Sequence, residues 1–186
     1  MPKCEDHDFP CQSLDYSPFD QVAATELLSP ILADEIVNSS SFCTYVPTDK
    51  NLVIGDLTHR AFLKGLRGKS GLYHLWIDYD DCDDHGTHTM QCVYVGKGFA
   101  EVRITDHIKS KWQAGAQLYV TFFECSNRIS KYYEQLFLDI YEFELNSNEN
   151  RGTKKLFAVW DDERHFSGTE IHAVSNLSNI RGFEDI

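Results

Sequence analysis

The clearest periodic signal lies in residues 126–146, "SNRISKYYEQLFLDIYEFELN". Ile129, Tyr132, Tyr133, Leu136, Phe137, Ile140 and Tyr141 recur at steps of three and four, which is one face of a helix. Ser126 stands where such a helix needs an N-cap. Upstream the pattern changes to β-branched and aromatic runs. "GLYHLWIDY" (71–79), "MQCVYV" (90–95) and "AQLYVTFFEC" (116–125) predict three strands. Between the second and third, "FAEVRITDHIKSKW" (99–112) predicts a helix. Residues 18–39 carry Ala, Leu and Ile at helical spacing, with a break at Pro30. Residues 55–67 predict a short helix between an N-cap at Asp56 and a stop at Gly68. The polar stretch 78–89, "DYDDCDDHGTHT", predicts an exposed loop. "KKLFAVW" (154–160) predicts one more strand after a turn-rich linker.

This order gives an α+β fold class. It predicts a small central antiparallel three-stranded sheet, in β-β-α-β-α order, flanked by helices. Residues 1–70 form an N-terminal helical extension, 71–146 the core and 147–186 a C-terminal appendage packed on it.

Charge narrows the function classes. The net charge is −12, from 29 acidic and 17 basic residues, so the average field repels nucleic acid. Residues 96–131 run against this: Lys97, Arg103, Lys109, Lys111, Arg128 and Lys131 face only Glu101, Asp106 and Glu124. That segment is either a basic binding surface or a solvated face. No apolar run reaches the ~20 residues of a membrane span, and residues 1–18 lack the basic flank and apolar core of a signal peptide. The six cysteines include no C-x-x-C pair, and the expectation is reduced thiols in a cytoplasmic protein.

Several residues carry candidate chemistry. Gly96-Lys97-Gly98 follows a strand and precedes a helix, a setting that suits either a phosphate or a plain tight turn. A nucleotide P-loop does not fit, because Gln91 and Gly98 occupy its first glycine and hydroxyl positions. Arg103 and His107 share a helix face, as a phosphate-binding pair or as surface residues bonded to Glu101 or Asp106. Glu134 sits at the rim of its helix's apolar stripe, where one carboxylate can hold Mg²⁺ or simply meet solvent. In the acidic loop, His85 and His88 with Asp83 or Cys82 could bind a transition metal, although their spacing matches no known site.

Taken together, these residues resemble the GIY-YIG nuclease superfamily. Gly71-Leu72-Tyr73 resembles the first motif and Tyr94-Val95-Gly96 the second. Arg103, His107, Glu134 and the pair Leu145-Asn146 follow in the family's order. The resemblance covers residues 71–146, and the stretch 74–93 between the tripeptides is longer than the family's usual separation. It implies a metal-dependent endonuclease acting on DNA in restriction, repair or a toxin or effector role, with RNA left open. A toxin would have a cognate inhibitor. The implied cofactor is Mg²⁺ or Mn²⁺ on Glu134, with Arg103 neutralising phosphoryl charge. Tyr73 would accept a proton from water, Tyr94 would orient the water or phosphate, and His107 would assist. Gly96, Lys97, Gly98, Lys109, Lys111 and Arg128 would bind substrate, with Asn146 tying down the backbone. The alternative is a catalytically inactive protein-interaction module on the same scaffold.

Overall fold

Residues 70–99 set the architecture. They form two strands of 13 residues, β2 (Ser70–Cys82) and β3 (Thr87–Phe99), joined by a four-residue turn at 83–86. The computed structural model describes residues 4, 10–40, 42–46, 62–112, 117–147 and 150–168. Strand β1 (Phe42–Val46) pairs with β4 (Leu118–Glu124), β4 with β2, and β3 with β7 (Phe157–Asp161). The result is an antiparallel sheet of five strands in the order β1-β4-β2-β3-β7, rather than the three expected. Phe42–Val46 is too short for its alternation to stand out in the sequence, and its pairing with β4 is non-local. A separate two-stranded pair, β5 (Tyr141–Glu142) and β6 (Lys154–Lys155), is parallel.

Among the described residues, four α-helices frame the sheet. Helix α1 (Ser17–Glu26) and helix α2 (Ala33–Val37) are separated by a break that includes Pro30. Helix α3 (Ala100–Ser110) follows β3 directly, and helix α4 (Asn127–Ile140) follows β4. The Ser126 hydroxyl caps α4 by accepting from the Ile129 amide at 3.4 Å. Helix α4 stops at Ile140, where Tyr141 turns extended, so it is shorter than its periodic pattern. Most of the short helix expected over 55–67 lies outside the described residues; of the described part, Phe62 is helical and Lys64–Leu66 is a 3₁₀ turn. Among the described residues no helix is long and apolar enough to cross a membrane.

The sheet separates two apolar layers. Leu72, Trp76, Cys92 and Val95 pack with α1, α2 and α4, including Phe19, Ile36, Tyr133 and Phe137. Tyr73, Leu75, Val93 and Tyr94 pack with Ala100, Ile104 and Ile108 of α3. A bulge controls which residues reach which layer. Leu75 pairs with Tyr94 but Trp76 pairs with Cys92, so Val93 is an extra residue on β3. A second shift between Asp78 and Asp80 leaves Tyr79 as the extra residue on β2 and restores the register.

The acidic stretch expected to be an exposed loop is mostly strand. Two of its carboxylates meet histidines: Asp78 accepts from His165 at 2.7 Å, and Asp81 meets one ring nitrogen of His88 at 2.8 Å, whose other ring nitrogen meets Asp162 at 2.8 Å. The two imidazoles stack with centroids 3.8 Å apart, and both are buried. Arg164 fastens the following turn to the N-terminal helices by donating to the Ser40 carbonyl and hydroxyl at 3.2 and 2.9 Å.

His74 gives the fold a pH dependence. It is fully buried between Trp76 and Phe137, and its Nε2 has no hydrogen-bond partner among the described residues. Burial pushes its pKa from 6.5 down to about 3. The unfolded chain therefore binds the extra proton between those values, and stability is lost as pH falls from 6.5 toward 3. Urea unfolding should show a loss of up to ~2.7 kcal/mol by about pH 4.5, and His74→Phe should flatten that slope.

Candidate active site at the glycine end of the hairpin

Pairing brings Tyr73 opposite Gly96, and the bulge at Val93 turns Tyr94 onto the same face. The two phenol rings stack with centroids 6.0 Å apart. Gly96 is required beneath them: a Cβ there would lie 2.5 Å from the Tyr73 hydroxyl and 2.7 Å from Cε1 of Tyr94. The Gly-Lys-Gly segment is strand rather than a turn, with Gly71 opposite Gly98 and the ladder running to Phe99. Gly98 adopts φ +107°, a conformation that glycine tolerates and other residues resist. Asn146 holds this strand from the side, accepting from the Val95 amide at 3.1 Å and donating to its carbonyl at 2.9 Å.

Helix α3 projects Arg103 and His107 over the phenols. His107 Nε2 is 3.3 Å from the Tyr73 hydroxyl, and its ring centroid is 4.3 Å from that of Tyr94. The Tyr73 hydroxyl is also hydrogen-bonded with Arg103 and Tyr94, which makes it the hub of the cluster. Lys111 closes one side, with Nζ 5.3 Å from the Tyr94 ring centre and donating to the Leu145 carbonyl at 3.2 Å. Lys109 is exposed at the end of the same helix.

Glu134 arrives from the other layer. Leu72 pairs with Lys97, so Lys97 lies on the α4 side of the sheet, where its ammonium forms an ion pair with the Glu134 carboxylate. The pair remains close enough to the phenols for the Glu134 charge to raise the pKa of Tyr94. Lys97, Arg128, Lys131, Tyr132, Glu134 and Gln135 line a groove of about 360 Å³. Tyr132 and Gln135 carry no sequence signal beyond their place on the helix.

Burial sets the electrostatics of the cluster, and the Lys97 charge is taken up by its pair with Glu134. Burial drives the Tyr73 pKa far up, with Tyr94 adding to the rise and Arg103 opposing it. Tyr94 is raised for the same reason, its hydrogen bond with Tyr73 and the Arg103 charge opposing the rise. Burial, then the Lys111 and Arg103 charges, push His107 from 6.5 down to about 4, so it is neutral at pH 7.

The acidic hairpin tip divides its candidates. Cys82 and His85 come together, with Sγ 3.3 Å from Nδ1. His88 is turned away by its two carboxylate partners, and Asp83 is not in the group.

Gly96→Ala should cost about 1–3 kcal/mol in urea unfolding, because its methyl group forces the Tyr73 ring aside. No family model, curated protein or solved structure matches this chain.

Proposed function

We propose that the protein is a metal-dependent endonuclease that hydrolyses phosphodiester bonds of DNA. The observation that carries this reading is the meeting of Tyr73, Tyr94, Arg103 and His107 on one side of the sheet, with the Glu134 charge felt at Tyr94 from the opposite side. The residues are far apart in sequence, and they are the ones the resemblance named, in the same order.

Lys97, Arg128 and Lys131 give the groove a positive excess over Glu134, which suits a phosphate backbone despite the net charge of −12. Arg103 is exposed, so its guanidinium is available to phosphoryl oxygens. It would neutralise the charge that grows there as water attacks phosphorus and the bond to the leaving oxygen breaks.

Tyr73 has no exposed surface and a strongly raised pKa, which makes it unsuited to meet water directly as a base. The proton-accepting role falls to His107, neutral at pH 7 and only half buried. Hydroxyl groups donate and accept together, so a proton entering at Tyr94 passes through Tyr73 to His107 Nε2. A bound phosphate adds negative charge, which makes the imidazole a better acceptor.

The donor set fits a hard divalent cation. Glu134 supplies one carboxylate, and Mg²⁺ or Mn²⁺ is held by one or two carboxylates with waters and substrate oxygens. Such an ion on Glu134 would supply positive charge to the leaving oxygen. Lys97, displaced from the carboxylate, would be free to bind phosphate.

Supercoiled plasmid incubated with the protein and Mg²⁺ or Mn²⁺ should be nicked or linearised, and chelator should stop this. Arg103→Ala and Glu134→Ala should each slow cleavage by roughly 10²–10³-fold while keeping the wild-type unfolding midpoint. Wild-type rates in both variants would remove the catalytic assignment.

A further inference from the structure

The tip of the β2–β3 hairpin carries a second cluster, built from parts that no motif joins. Cys82 ends β2, and His85 lies in the turn. Cys4 and Cys11 come from the N-terminal stretch, docked there by the Thr87 hydroxyl, which donates to the Cys11 carbonyl at 2.6 Å. The three sulfurs and one imidazole nitrogen all lie within 4.8 Å of one another. We infer that Cys4, Cys11, Cys82 and His85 form a structural zinc site that clips the N-terminal segment onto the hairpin tip.

The spacing of the ligand atoms supports this. With Zn–S near 2.3 Å and Zn–N near 2.0–2.1 Å, a tetrahedron has sulfur–sulfur edges of about 3.8 Å and sulfur–nitrogen edges of about 3.5 Å. Cys4 and Cys82 sulfurs are 3.8 Å apart, and His85 Nδ1 is 3.5 Å from Cys11 Sγ and 3.3 Å from Cys82 Sγ. A disulfide between Cys4 and Cys82 would need its sulfurs at about 2.05 Å.

The ligand chemistry points the same way. Three thiolates and an imidazole are a zinc donor set, whereas Mg²⁺ and Ca²⁺ take oxygen. Cys11 and Cys82 are buried, and the four protein donors complete a tetrahedron, so the site is structural rather than catalytic. On binding, the three thiols release their protons to solvent and His85 ligates as the neutral ring. The Asp84 carboxylate, 3.8 Å from Cys4 Sγ, and its acidic neighbours attract a cation to this tip.

The clip is remote from the phenols. Tyr73 and Cys82 are nine residues apart on β2, or about 30 Å at the rise of a strand. Zinc here contributes folding energy by closing the long chain segment between Cys4 and His85, not chemistry at the phosphate groove.

Elemental analysis of the full chain, purified without chelator, should find about one zinc per molecule. Cys11→Ser and Cys82→Ser should each lower it at least ~10-fold, while Glu134→Ala keeps it whether or not the protein is a nuclease. Should the serine variants fail to fold, the chelated wild type decides. Titrated with Co²⁺, it should show thiolate-to-cobalt charge transfer and intense tetrahedral d–d bands. A metal-poor wild type with a featureless cobalt spectrum would overturn the site. So would full zinc in both serine variants, or a Cys4–Cys82 disulfide in the freshly purified protein.

Discussion

Tyr94 stands beside Tyr73 because β3 carries one residue more than β2 between the pairs Leu75–Tyr94 and Trp76–Cys92. Under strict alternation Tyr94 would follow Cys92 into the layer beneath α4, and the two phenols would face opposite sides of the sheet. Val93 absorbs the extra position, and both rings then fall under α3, where Arg103 and His107 wait. Close stacking of the rings depends in turn on Gly96, the residue on that face with no side chain to hold them apart. The compensating shift at Tyr79 matters as much, since it returns β2 and β3 to register before the turn.

The hairpin therefore acts as a beam with different chemistry at each end. At the glycine end, a hydrogen-bonded cluster of phenols, imidazole and guanidinium sits on one side of the sheet, and an ion pair sits on the other. Glu134 and Lys97 belong to the α4 side, yet the Glu134 charge is felt at Tyr94. Burial dominates the proton affinities: both phenols are raised and His107 is lowered, so all three are neutral at pH 7. The positive charge at this end comes from Arg103, Lys111, Arg128 and Lys131, with Lys97 matched by Glu134. At the other end, carboxylates of Asp78, Asp81 and Asp162 are bound to a stacked pair of histidines.

Much of the fold is legible in the chain. Helix α4 follows from six of the seven periodic positions and Ser126, β2 and β4 from their aromatic and β-branched runs, and the break before α2 from Pro30. The misreadings share one cause. Residues 78–82 and 87–89 read as a loop because Asp and His dominate them, but their charges are satisfied by His165 and Asp162, more than 70 residues away. Phe42–Val46 becomes a strand because β4 offers it an edge. The helical pattern running past Ile140 continues into an extended Tyr141 because Lys154 and Lys155 pair there. In each case a distant partner overrides a local preference.

The main helices, most of the strands, the candidate site residues and the basic bias of segment 96–131 were written in the sequence, because periodicity, residue type and charge are local properties. The face on which each of those residues emerges was decided only in the folded chain. A bulge of one residue reverses a strand's alternation and leaves no mark in composition. The same holds for the ion pair of Lys97 with Glu134 and for the gathering of Cys4 and Cys11 with Cys82 and His85. These contacts span large sequence separations, so they exist only once the sheet has brought their strands together.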